Sequence, residues 1–168
     1  NIALLLAVYF LQGMVFYSPV ATLYRQAAGL TLFQMGTIES VCLGVMLALE
    51  VPWGAAADRL GHRRTIVVCT ILFALSKVIF WRADSFGDFL AERVLLGICL
   101  AGLSGCDSAF LFACCTGEEH RRVYARCEAI QTLGMLLAAL AWPLLGGNYR
   151  LSALLTAVVY TAAAVLAL

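Results

Sequence analysis

Charge along this chain comes in clusters, and long runs without any lie between them. Residues 1–24, 131–149 and 151–168 contain no Asp, Glu, Lys or Arg, and each run is close to the roughly 20 residues that carry an α-helix across hydrocarbon. Few segments show an apolar stripe opposite a charged face, the mark of a helix in a water-soluble bundle. The charges gather at Arg25, at Asp58 to Arg64, at Arg82 to Arg93 and at Glu118 to Glu128, and these points mark helix ends. The pattern predicts six spans at about 2–24, 34–56, 65–81, 88–115, 123–146 and 151–168. The loops between them are short, so consecutive spans run antiparallel. The opening run lacks a basic leader and a small-residue cleavage site, which makes it a first span rather than a signal peptide.

Composition agrees with an all-α membrane protein. The chain is 63% hydrophobic and 12% charged, against about 45–50% and about 25% in soluble domains. Arg59, Arg63 and Arg64 follow the second span and Arg121, Arg122 and Arg126 the fourth, whereas the other side carries single arginines, Arg25, Arg82 and Arg150. Positive residues in short loops stay cytosolic, so the 2–3 and 4–5 loops are expected in the cytosol of a multi-pass protein of the cell (cytoplasmic or inner) membrane. A net charge of +1 and arginines placed as loop anchors exclude nucleic acid as a partner. The partners expected are the lipid bilayer and a small solute. Seven cysteines stand at 42, 69, 99, 106, 114, 115 and 127 without C-x-x-C spacing; they read as small apolar residues, so neither a metal nor a cofactor is expected. No glycine-rich phosphate loop suggests ATP hydrolysis.

Between the second and third spans runs Gly54-Ala55-Ala56-Ala57-Asp58-Arg59-Leu60-Gly61-His62-Arg63-Arg64. Gly54 and the alanines permit close helix approach, Gly61 a tight turn, and Asp58 can accept hydrogen bonds from arginines or a helix N-terminus. The stretch resembles the G-x-x-x-D-R-x-G-x-R-R signature of the major facilitator superfamily and matches it at each position. Phe16-Tyr17-Ser18-Pro19, Glu50-Val51-Pro52-Trp53-Gly54 and Arg93 followed by Gly97 extend the resemblance. Trp142-Pro143-Leu144-Leu145-Gly146-Gly147 is similar to the G-P-x-x-G-G ending of proton-coupled drug exporters, except that Trp142 replaces the first glycine. The resemblance implies the N-terminal six-helix half of a secondary transporter, built as two inverted three-helix repeats, with the C-terminal half of the same transporter still to follow. It implies alternating access powered by a proton gradient, with drug or metabolite efflux as one form. It also implies a gating role for Gly54, Asp58, Arg59, Gly61, Arg63 and Arg64.

Ionisable residues inside a span are costly and face protein or a water-filled cavity. In the fourth span Arg93, Gly97, Leu100, Ser104, Asp107 and Ser108 recur at helical spacing as one stripe. The second span offers Glu39, Leu43, Met46 and Glu50, and the first Tyr9, Gln12, Gly13 and Phe16. Glu50, Arg93 and Asp107 are therefore candidates for coupling or substrate contact, with Tyr9, Gln12, Phe16, Glu39, Met46 and Ser104 as cavity lining. Lys77, late in the third span, is expected to snorkel to the surface. Two other readings compete with this one. Gly102-Leu103-Ser104-Gly105 resembles the nucleophile motif of rhomboid intramembrane proteases, but that chemistry needs a histidine base and residues 151–168 contain none. A non-transporting membrane scaffold leaves the intramembrane acids without a role.

Overall fold

The computed structural model of the chain describes residues 2–114 and 118–167, and their side chains except at 2, 3, 5, 62, 63, 105–114 and 118–121. Its helices are α1 (Ile2–Gly13), α2 (Ala21–Ala27), α3 (Leu32–Leu60), α4 (His62–Arg82), α5 (Phe86–Cys114), α6 (Glu118–Ala141) and α7 (Tyr149–Ala167), and there is no strand among the described residues. Among the described residues five helical stretches are long and apolar enough to cross a membrane: Leu6–Ala27, Leu32–Leu60, Arg64–Arg82, Arg122–Leu145 and Tyr149–Ala167. The sixth long helix is α5, of 29 residues, whose first turns carry Asp88, Glu92 and Arg93.

Two expectations need correction. The first span is broken rather than continuous. α1 stops at Gly13, Ser18–Val20 forms a 3-10 turn around Pro19, and the chain re-enters a helix at Ala21. Proline has no amide hydrogen to give to a helix, and non-helical backbone at membrane depth survives only where other protein groups satisfy it. α7 supplies those groups: the Phe16 amide donates to Thr156 Oγ1 at 3.0 Å, and the Tyr160 hydroxyl donates to the Gln12 carbonyl. The second correction concerns the 2–3 loop, which is a single residue. α3 runs to Leu60, α4 starts at His62, and Gly61 between them holds φ +86°, a conformation that side-chain-bearing residues avoid.

Helix pairing reveals the repeat. α1 packs on α6 and α7, α5 packs on α3 and α4, and α4 packs on α7. Exchanging the first three spans (α1, α3, α4) for the last three (α5, α6, α7) turns α1–α6 into α5–α3 and α1–α7 into α5–α4, and leaves α4–α7 as itself. The closest backbone approaches obey the same exchange. A Cβ on Gly97 of α5 would lie 2.6 Å from the Cys42 carbonyl of α3, and one on Gly13 of α1 would run into the Gln131 carbonyl of α6. Small residues at such crossings let helices pack without a hydrophobic driving force. The outer faces are apolar, as a lipid-facing surface requires: Leu43, Leu47 and Val51 on α3, Leu136 and Leu140 on α6, and Val158 and Val165 on α7 are all exposed.

Candidate functional site

The joint between α3 and α4 lies at one end of the bundle. Gly54, Asp58 and Arg59 occupy the last turns of α3 and are exposed, as are Gly61 and Arg64. Ala57, on the inner side, is buried, and its carbonyl accepts from the Gly61 amide at 2.9 Å. A Cβ at Gly54 would meet nothing within 4 Å, so this face of α3 has open space beside it. The Arg63 side chain lies outside the described residues, as does that of Asp107.

Near the opposite end, charged groups from four helices meet. Arg25 of α2 is buried, and its Nη1 donates to Glu39 Oε1 of α3 at 2.7 Å. The same carboxylate oxygen lies 3.2 Å from Arg93 Nη2 of α5. Arg93 Nε is 3.3 Å from Glu92 Oε2, and Glu92 Oε1 is 3.9 Å from Lys77 Nζ of α4. Lys77 also donates to the Tyr17 hydroxyl at 2.9 Å. Its ammonium sits over the rings of Phe73, Tyr160 and Tyr17, at 4.7, 5.5 and 5.6 Å from their centroids, close enough for each ring face to attract the cation. The expectation that Lys77 snorkels outward is overturned: only 4% of the residue is exposed, because Tyr17 and Glu92 hold it inside. Arg25, expected in a loop, is instead part of a short helix folded into the bundle.

Depth explains how these residues meet. Glu39, Lys77 and Glu92 stand seven, five and six residues from the near ends of their helices, about 8–10 Å at 1.5 Å per residue. An aromatic layer closes the bundle beyond them. Phe80 stacks on Tyr17 at 4.0 Å and meets Phe89 edge-on at 5.6 Å, while the Tyr24 hydroxyl donates to the Ala83 carbonyl at 3.2 Å. An exposed Asp84–Arg150 ion pair ties the α4–α5 turn to α7. Only Glu39, with 45% of its side chain exposed, and Arg93, with 17%, reach the surface of the network.

The remaining candidates are dispersed. Glu50 is exposed and accepts a long 3.5 Å bond from Ser104 Oγ, which also donates to the Ala101 carbonyl. It stands eleven residues from Glu39 along α3, about 16 Å. Tyr9 is buried against Val123 and Cys127 of α6. Gln12, Phe16 and Met46 are half-buried. The structure thus brings Glu39 to Arg93 and Glu50 to Ser104, as two separate pairs. The sequence reading passed over Glu92, Tyr17 and Arg25. Equal depth on either side of the 83–85 turn was the available signal for Lys77 and Glu92, since antiparallel neighbours joined by a short loop face each other at matching depth.

Comparison with known proteins places this arrangement. The sequence model described as Major Facilitator Superfamily matches residues 2–168. Efflux pump azaK of Aspergillus niger is 26% identical over 115 residues, which are 68% of this chain and 24% of that protein. The nitrate/nitrite transporter NrtP of Picosynechococcus is 32% identical over 56% of the chain and 18% of its own length. The L-fucose-proton symporter of Escherichia coli is 30% identical over 51% of the chain and 20% of its own length. The matched stretches thus span a quarter or less of these relatives.

Proposed function

The chain belongs to the Major Facilitator Superfamily, and from that premise we propose that it is the N-terminal half of a secondary transporter that moves a small solute by alternating access. One observation carries this reading: five charged side chains from four helices meet inside a bundle whose outer faces are apolar. Charge held at membrane depth is costly and marks solute or ion pathways. A passive scaffold does not need it. The similarity to proteins named as an efflux pump, a nitrate/nitrite transporter and a proton symporter supports a small solute and a proton gradient as the energy source.

In this reading the Gly54–Arg64 joint lies on the cytosolic side, in the cell membrane, and the charge network faces the other side. Asp58 and the arginines around it hold the cytosolic end closed in one state, and the C-terminal half supplies the opposing wall. In the proposed cycle Glu50, exposed beside Ser104, or Asp107 takes up a proton during transport. Membership in a family of transporters displaces the protease reading of Ser104.

The test is flux. Full-length protein in liposomes with an imposed pH gradient should accumulate a solute drawn from small organic acids, sugars and lipophilic amines. Asp58→Asn should cut that flux to about a tenth or less, by releasing one of the two states. Flux equal to that of protein-free liposomes across all three classes contradicts the proposal.

A further inference from the structure

The network is unbalanced. It holds three cations, Arg25, Lys77 and Arg93, against two carboxylates, Glu39 and Glu92. Protonating Glu92 raises the surplus, and passing a proton from Lys77 to Glu92 leaves it unchanged. With Lys77 charged the cluster is cationic whichever state Glu92 takes. The groups facing it from each packed element are Arg25, Glu39 and Cys42, Lys77, Glu92 with Arg93, and the uncharged Tyr17 and Tyr160. None of these supplies a further negative charge.

The surplus is also unevenly bonded. Nε and Nη2 of Arg25 are buried with no hydrogen-bond partner among the described residues, and Arg93 Nε faces Glu92 without an aligned hydrogen bond. Buried ions are tolerated when paired and fully hydrogen-bonded; both Glu92 oxygens also lack a hydrogen bond but already face Arg93 and Lys77, so it is the Arg25 donors that call for an acceptor. Among the described residues, Glu39 is the only carboxylate that bridges the two arginines. It does so through one oxygen, Oε1, while nearly half its side chain stays exposed.

We propose that the Arg25–Arg93 pair is an anion subsite for a small carboxylate-bearing solute, and that the Glu39 carboxylate occupies it as an internal stand-in when the solute is absent. Guanidinium forks match carboxylates in shape and charge. An incoming carboxylate displaces Glu39 toward the surface it already touches and brings two acceptor oxygens where Glu39 contributes one. The proposal deepens the transporter reading and rests on it for the solute. Its substrate class is a small organic anion, bound off the midplane near the end of the bundle opposite the joint.

Binding can be read without a gradient. Full-length protein in nanodiscs is titrated with acetate, and with acetamide as its uncharged counterpart, and followed by saturation-transfer NMR. Removing the internal competitor should raise the apparent acetate affinity of Glu39→Gln by about tenfold, in proportion to the fraction of time that Glu39 holds the site. Acetamide should not show this gain. Arg93→Lys, which keeps the charge but loses the fork, should weaken acetate about threefold or more. Glu39→Ala should behave as Glu39→Gln, which guards against a folding effect peculiar to one variant. Acetate affinity unchanged or lowered in both Glu39 variants, or acetamide gaining as much, overturns the subsite whatever the flux assay shows. Lost flux with the Glu39 effect intact overturns the transporter reading instead.

Discussion

The Gly54–Arg64 joint and the Arg25–Glu39–Lys77–Glu92–Arg93 network lie at opposite ends of the same bundle and are assembled differently. The joint is one stretch of eleven residues, exposed along its polar face and turned by a single glycine. The network draws one or two residues from each of four helices and buries most of them behind an aromatic layer. Exposed charge costs little to hold in place and can exchange partners freely. Buried charge is held by partners on other helices, and breaking one contact leaves an ion uncompensated. The difference separates two kinds of residue: those whose loss should alter cycling, and those whose loss should weaken the bundle itself.

Substitutions can break that comparison, and the largest effect belongs to the network. Glu92→Leu leaves Lys77 without the one carboxylate it meets among the described residues and should lower unfolding stability by about 3–5 kcal/mol, measured by reversible denaturation in mixed micelles. The double variant Lys77→Met, Glu92→Leu should recover much of the loss, because apolar groups can replace a buried pair. If the double variant is as unstable as the sum of the singles, the two residues do not act as a pair.

Next in size come the glycines. Gly97→Val must force its side chain against the Cys42 carbonyl and should cost about 1–3 kcal/mol, with loosened α3–α5 packing. The same change at Gly54, where a Cβ meets nothing within 4 Å, should leave stability unchanged and slow transport instead. Gly61→Ala carries a backbone penalty alone, about 1–2 kcal/mol, from its positive φ. Equal destabilisation at positions 54 and 97 would erase the distinction between an open face and a packed crossing.

Smallest on the stability scale is Asp58→Asn, which should leave the unfolding midpoint where it was while flux falls. Asp84→Asn, in an exposed pair, should change neither unfolding nor flux measurably, since surface ion pairs contribute little.

What was legible in the sequence follows the same division. Charge-free runs and the charge clusters between them announced an all-helical membrane protein, and the joint was readable because its residues are contiguous. The break in the first span was not anticipated, although Gly13 and Pro19 were in view. What rescues it is a pair of hydrogen bonds, one accepted by Thr156 and one donated by Tyr160, far along the chain. Lys77 and Glu92 were missed for a related reason. Singly, a lysine near a helix end looks like a snorkelling anchor and a glutamate beside an arginine looks like a surface pair. Their burial is a property of how α4 and α5 fold against each other and against Tyr17. Glu39 and Arg93 were separated in the sequence reading into lining and coupling roles, whereas geometry makes them direct partners.

Alternating access predicts that the two ends respond in opposite directions, and hydrogen–deuterium exchange on the full-length protein in nanodiscs reads both at once. Asp58→Asn should release the joint, so that amides of residues 54–64 exchange faster, while those of residues 36–42 and 89–96 around the charge network exchange more slowly. Faster exchange confined to the joint, with the network unchanged or also loosened, would contradict a bundle that opens at one end as it closes at the other.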